Sequence, residues 1–271
     1  MDELVNSNSR GKVFIVGAGP GADDLITVRG LHALRQADVL LYDALVSPKL
    51  LEQAPPCSER IFVGKRCGRH SMKQEDINRL ILAKSYEGKT IVRLKGGDPL
   101  IFGRGGEEAL ACAEAGVRFE IIPGVSAALG AASYSGIPLT HRGVSSSVAF
   151  VTAHGARCGD TPDLSWRSLA ASVDTLVIFM GASWLGEIAV ALIESGLPGS
   201  TSVAVISNAA SEAQVTVLGT LETIAERVAG AELQAPMLII VGEVTQLSAA
   251  LNWFERQRAV VHVEQSSDVH S

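Results

Sequence analysis

Short apolar runs alternate with amphipathic stretches through the first half of the chain. Lys12 to Gly17 reads as a buried strand that runs into the loop Gly-Ala-Gly-Pro-Gly. Val28 to Ala37 has helical spacing, and Asp38–Tyr42 and Arg60–Val63 read as strands. Ser71 to Tyr86 is the clearest helix, with Ser71 and Gln74 as a capping box and Gly88 as its stop. Lys89–Leu94 is the next strand, Glu107–Ala115 a helix and Arg118–Ile122 a strand. This β-α-β rhythm predicts a mostly parallel sheet with helices on both faces. Ile122-Pro123-Gly124 reads as a corner between domains. Beyond it come strands at Val148–Thr152, Thr175–Met180, Ser202–Ser207, Gln214–Leu218 and Met237–Gly242, with helices at Trp184–Ser195, Leu221–Ala229 and Thr245–Gln257. Only the polar stretch Asn208–Glu212 separates two of these strands, which predicts a hairpin and therefore a mixed sheet. The reading is α/β, with domains over 11–122 and 123–257 and polar, mobile tails at 1–10 and 258–271.

Composition narrows the class. The chain has 271 residues, 47% hydrophobic and 19% charged, which suits a well-cored protein of one large or two ordinary domains. No apolar stretch approaches the ~20 residues of a membrane span. The polar start Met1 to Gly11 lacks the apolar core of a secretory signal, so a cytoplasmic location is expected. Cys57, Cys67, Cys112 and Cys158 show no paired spacing, so reduced thiols are expected and no metal. A net charge of −6 argues against a nucleic-acid partner, but a local cationic patch still suits a small anionic ligand.

The most informative stretch is Arg-Leu-Lys-Gly-Gly-Asp-Pro-Leu-Ile-Phe-Gly-Arg-Gly-Gly-Glu-Glu at 93–108. Five glycines in eleven positions surround the carboxylate of Asp98 and the cations Lys95 and Arg104. A hairpin needs only about two or three turn residues, so this reads as a ligand-binding loop. In an open parallel sheet, ligands bind beyond the carboxyl ends of the strands. Gly17–Gly21, Asp43, Lys65 and Gly96-Gly97-Asp98 each follow a predicted strand and so share that address.

The individual residues are less decisive. Gly17–Ala22 only partly mimics a dinucleotide fingerprint: Pro20 removes an amide donor, and Asp23-Asp24 oppose a pyrophosphate. A phosphate-free cationic cofactor tolerates the two aspartates better, or they simply favour the start of a helix. Asp43 is either a catalytic carboxylate or a turn residue. The charge run at 65–73 is either a solvated face or a cationic lid. Arg104, between glycines, is free to fork onto a carboxylate. Glu108 reads as an ordinary first-turn acid, and a lone histidine such as His154 is more often structural than catalytic.

Taken together, Val-Gly-Ala-Gly-Pro-Gly (16–21), Leu-Tyr-Asp (41–43), Val-Gly-Lys-Arg (63–66), the 93–108 stretch and Ile-Pro-Gly-Val-Ser-Ala (122–127) resemble the tetrapyrrole methylase family, over roughly residues 12 to 255. The resemblance implies two α/β domains of that type with S-adenosylmethionine in the cleft between them, and a homodimer. It implies transfer of two methyl groups in succession to uroporphyrinogen III, giving precorrin-1 and then precorrin-2, with S-adenosylhomocysteine as co-product; a later precorrin is the alternative substrate. By motif match, Pro20, Gly96, Gly97, Asp98, Ile101, Ser126 and Ala127 contact the cofactor, joined in the second domain by Met180, Ala209, Pro236 and Met237. Asp43 and Lys65 match a proton acceptor and donor. Arg104, Glu107, Arg142 and His154 match the substrate side, with Arg104 a rival candidate for the base. Ala44 and Leu100 depart from common family residues, and no dehydrogenase or chelatase module is expected. Two other classes remain: a nicotinamide-dependent oxidoreductase, which Pro20 and Asp23-Asp24 disfavour, and a non-catalytic tetrapyrrole carrier.

Overall fold

A computed structural model describes residues 11–64, 72–153 and 165–258. The contacts divide the chain between Ala127 and Ala128 into two units. In the first, the expected alternation is present: β1 (Lys12–Gly17), α1 (Val28–Leu34), β2 (Val39–Tyr42), α2 (Pro48–Leu51), β3 (Glu59–Phe62), α3 (Gln74–Tyr86), β4 (Thr90–Lys95), α4 (Gly105–Glu114) and β5 (Arg118–Ile122). The strands lie in the order β3-β2-β4-β1-β5, and every pairing is parallel.

Period-two alternation sends side chains of each strand to two cores. Val16, Leu40, Val92 and Leu94 pack under Ala33 and Leu34 of α1 and Leu50 of α2. Val13, Ile15, Leu41 and Ile91 pack under Ile77 and Ile81 of α3 and Ala109 and Cys112 of α4. The sheet is thus covered on both faces, as all-parallel sheets require. Thr27 caps α1 by accepting the Gly30 amide at 3.1 Å. The capping box expected at Ser71 is corrected: α3 starts at Gln74 behind Lys73, and the Gln74 amide donates to Asn78 and Glu108 instead. Ser71 itself lies outside the described residues. Gly88, at φ 77°, ends α3 as expected.

The second unit contains α5 (Ala127–Ser135, whose first residue closes the first unit), β6 (Val148–Thr152), α6 (Trp166–Ser172), β7 (Thr175–Phe179), α7 (Leu185–Glu194), β8 (Ser202–Ser207), β9 (Val215–Thr220), α8 (Ile224–Ala229), β10 (Met237–Val241) and α9 (Ser248–Leu251). Its sheet runs β6-β7-β10-β8-β9; β6 and β7 are parallel, and β10 and β9 run antiparallel to their neighbours. The expected hairpin is β8–β9. Ile178, Val203 and Ile239 face Ile188 and Leu192 of α7, and Val177, Ile206 and Leu238 face Ala128 and Ala131 of α5. Helices α2, α5 and α6 had no counterpart in the sequence reading. The single helix expected over Thr245–Gln257 is broken: a 3-10 turn leads into α9, and the chain is helical again only over 253–258. Among the described residues no helix is long and apolar enough to cross a membrane. Cys57 and Cys112 are free thiols, and burial pushes the Cys112 thiol up to about 11. Cys67, Cys158 and most of the two expected tails fall outside the described residues.

Candidate functional site

The carboxyl ends of β1, β4 and β5 meet at Gly17, Gly97 and Gly124. Gly19 and Gly97 exchange backbone hydrogen bonds of 3.2 and 2.7 Å, and the Ala18 amide donates to Lys95 O at 2.7 Å. A Cβ on Gly17 would stand 2.6 Å from Gly124 Cα, and one on Gly124 would stand 2.4 Å from Gly97 O. No side chain fits at those two positions, so the backbones themselves form the surface. Asp98 locks the arrangement: its Oδ1 accepts from the Leu100 amide at 2.8 Å and its Oδ2 from the Gly124 amide at 3.1 Å. The loop then closes on itself where the Gly105 amide meets Pro99 O at 2.9 Å.

Two non-glycine residues of this loop, Phe102 and Arg104, are held at φ 51° and 59°. Such left-handed conformations cost free energy and persist only where the surroundings impose them, a pattern concentrated at functional loops. The loop presents Leu100, Ile101 and Phe102 as exposed apolar side chains. Gly97 lies against the start of α5, where a Cβ would be 3.4 Å from the Ala127 amide nitrogen, and Ser126 beside it is buried. Gly96, Gly97, Asp98, Ile101, Ser126 and Ala127 therefore belong to one strand-end platform, with Pro20 on the loop laced to it.

Arg104 does fork onto a carboxylate, and the carboxylate is that of Glu107. Its Nε and NH2 donate to the two Glu107 oxygens at 2.7 and 2.8 Å, a bidentate fork on the exposed first turn of α4. That fork pushes the Arg104 pKa up and the Glu107 pKa down from their ordinary values.

The reading of Glu108 is corrected. Far from being a solvated helix-start acid, it is fully buried, and its Oε1 accepts from Arg93 Nε at 3.0 Å, Lys95 Nζ at 3.0 Å and Gln74 Nε2 at 3.2 Å. Burial, followed by the neighbouring Arg93 charge, lowers the Lys95 pKa. Arg93 also reaches outward, its NH2 forming an ion pair with Asp43 Oδ2 at 3.6 Å. Asp43 Oδ1 accepts the Leu45 amide at 3.1 Å, so Asp43 is the turn residue of one reading while its carboxylate stands at a strand end, as the other requires. The sequence carried a signal for this network that went unread. Arg93 and Lys95 sit at i and i+2 of a strand flanked on both sides, and charges on one face of a doubly covered strand demand a buried counter-charge.

In the second unit, Met180 follows β7, Ala209 follows β8, and Pro236 and Met237 open the antiparallel β10. Register sets Met237 opposite Ser207 and Leu238 opposite Phe179, so these four candidates share one end of the sheet. Met180, Asn208 and Ala210 there have φ of 54°, 48° and 57°, a second cluster of strained backbone. Arg142 is exposed on a hairpin closed by the His141–Ser145 bridge. Ser145 Oγ meets Thr175 Oγ1 at 2.8 Å, which anchors that hairpin at the starting end of β7, away from Met180. Lys65, with most of the cationic run, and His154 lie outside the described residues.

The family model for Tetrapyrrole (Corrin/Porphyrin) Methylases matches residues 12–225. The chain belongs to this family. Among its relatives, the uroporphyrinogen-III C-methyltransferase of Bacillus subtilis is 46% identical over 91% of this chain and 96% of its own length. The siroheme synthase of Chromobacterium violaceum is 46% identical over 91% of this chain but only 52% of its own length, so the chain spans about half of that relative. Among solved structures, the uroporphyrin-III C-methyl transferase of Thermus thermophilus complexed with S-adenosyl homocysteine superposes with a TM-score of 0.76 at 40% identity, covering 88% of this chain and all of that one. The two mixed α/β units are thus a tetrapyrrole methylase fold, and the 93–108 stretch builds its strand-end platform.

Proposed function

We propose that this tetrapyrrole methylase is a uroporphyrinogen-III C-methyltransferase. In this reading it transfers two methyl groups from S-adenosylmethionine and forms precorrin-2 by way of precorrin-1. The observation that carries the reading is the strand-end platform: three glycine backbones in contact, a loop pinned by both oxygens of Asp98, and apolar Ile101 and Phe102 left exposed on it. A surface of bare peptide edges beside apolar side chains fits a nucleoside, whose ribose takes hydrogen bonds and whose adenine takes apolar contact. Pro20, Gly96, Gly97, Asp98, Ile101, Ser126 and Ala127 hold the cofactor in this reading, with Met180, Ala209, Pro236 and Met237 from the second unit.

When bound, S-adenosylmethionine supplies an electrophilic methyl group on a sulfonium. The electron-rich pyrrole carbon of the substrate is the nucleophile, so the side chains orient and manage protons. Holding carbon and methyl in line is worth ~7–11 kcal/mol. Asp43 takes the proton that the methylated ring releases, and Lys65 serves as donor. Arg104 is a poor base, because its fork onto Glu107 favours the protonated form; it places charge against a substrate carboxylate, with Glu107 orienting it. Arg142 and His154 complete the substrate side on the strength of motif match. The same reading makes the protein a cytoplasmic homodimer serving sirohaem, cobalamin or haem d1 formation.

The test is anaerobic incubation of the protein with methyl-labelled S-adenosylmethionine and freshly generated uroporphyrinogen III, with mass spectrometry of the product. A gain of two methyl groups is expected. Clear binding of S-adenosylhomocysteine with no transfer would direct the search to a later precorrin.

A further inference from the structure

We propose that Glu108 is a positioning residue that sets the orientation of the Asp43 carboxylate through Arg93. The inference rests on the reading of Asp43 as proton acceptor but concerns residues that reading does not use. Glu108 has no exposed surface, and three donors converge on its Oε1 while Oε2 is buried with no hydrogen-bond partner among the described residues. A buried carboxylate with one bare oxygen is costly, and two almost fully buried cations beside it are costly in turn. A hydrophobic filling of this space would be cheaper, so the arrangement calls for a role other than stability.

The geometry supplies that role. Leu41 lies beside Arg93 in the β2–β4 register, so Asp43, two residues further on, and Lys95 lie on the same face as Arg93. Arg93 is fastened on the inside by Glu108 at 3.0 Å and by its own NH1 donating to Leu94 O at 3.0 Å. That leaves NH2 aimed at Asp43 Oδ2. Asp43 therefore accepts the Leu45 amide at Oδ1 and faces the guanidinium charge at Oδ2, 3.6 Å away. Lysine in place of Arg93 keeps the charge but cannot span Glu108 and Asp43 together, because only guanidinium carries donors in a fixed fork. Among the described residues, the other charged groups near this network are Lys95 on β4 and the Arg104–Glu107 pair at the start of α4. On α3, Gln74 contributes a neutral amide, while Glu75, Asp76 and Arg79 pair among themselves on the exposed side.

Three measurements test the inference. In steady-state assays, E108Q and R93K should each lower kcat about tenfold, a part of the ~10²–10⁴ that a positioned proton acceptor supplies, with KM for S-adenosylmethionine unchanged. Combined with D43N, neither should lower kcat further, because residues acting through one group are not additive. Independent losses in the double variants would overturn the inference and leave the methyltransferase reading standing. By NMR, the Leu45 amide resonance should move in E108Q and in R93K, a readout that holds whatever the substrate proves to be. Should both core variants fail to fold, the Arg93 Nε–H resonance is compared between wild type and D43N, which alters only the partly exposed end of the chain. A shift supports the coupling, and an unmoved resonance in a folded D43N protein overturns it.

Discussion

Arg104 shows how one residue can carry two separable roles. Its guanidinium is exposed and forked onto Glu107, while its backbone sits at φ 59° just before α4 begins. Glycine takes that conformation freely, whereas alanine carries the left-handed cost of ~1–2 kcal/mol that arginine already bears. R104G and R104A should therefore both lose turnover and keep S-adenosylhomocysteine affinity in calorimetry. R104A should also melt about 2–4 °C below R104G. Equal loss of cofactor affinity in both variants would move Arg104 from the substrate side to the cofactor platform. The positive φ itself was legible only as a Gly-Arg-Gly-Gly string; that Phe102 shares it was not, because nothing about a phenylalanine announces left-handed backbone. Glu108 was misread for a related reason. Adjacent acids at a helix start look alike in sequence, and only the burial of one face separates Glu107 on the surface from Glu108 in the core.

At the scale of elements, periodicity found every strand and the longer amphipathic helices, but not the short α2 and α6, although Trp166, Leu169 and Ala170 do form an apolar stripe on the latter. Helix α5, Ala-Ala-Leu-Gly-Ala-Ala-Ser-Tyr-Ser, escaped it because Ala128, Gly130, Ala131, Ala132 and Ser135 are all buried and no polar face marks a period. The break at Asn252 was legible in hindsight. Asn-Trp-Phe-Glu is a capping-box pattern, and the Glu255 amide donates to Asn252 Oδ1 at 3.2 Å while Asn252 Nδ2 donates to Glu255 Oε2 at 2.8 Å.

A joint that periodicity cannot see holds the start of the second sheet. Asp174 Oδ2 accepts from the amides and hydroxyls of both Ser146 and Ser147, at 2.8 to 3.1 Å, and thereby ties the entry of β6 to that of β7. These bonds hold its carboxyl below the usual value of 3.8. A group whose pKa is depressed by folding stabilises the folded state above its unfolded pKa and loses that contribution as pH falls through the folded one. D174N should therefore unfold at lower urea concentration than wild type at neutral pH. The gap should close as the pH drops below about 4. A gap that stays constant with pH would mean the serines are held by shape and not by charge.

For the whole molecule, the proposed reading has a chain with a net charge of −6 receive a substrate bearing eight carboxylates. Overall repulsion and local attraction make opposite predictions, and ionic strength separates them. At 0.01 M salt the screening length is about 30 Å, so a ligand feels the charge of the entire protein; at 0.15 M it is about 8 Å, and only nearby groups count. If the overall acidity governs encounter, added salt relieves repulsion and KM for uroporphyrinogen III falls. If cations such as Arg104 and Lys65 receive it, added salt weakens those contacts and KM rises several-fold, while KM for S-adenosylmethionine, which the proposed reading seats on peptide edges and apolar side chains, changes by less than about twofold. The second outcome is expected, because in the proposed reading the substrate's carboxylates meet Arg104, whose exposed guanidinium carries five donors and gives two of them to Glu107. R104G should flatten the salt dependence in proportion to its share of the attraction. A salt profile unchanged by R104G would assign substrate capture to Lys65 and the cationic run around it, and would leave Arg104 to act only after the substrate is bound.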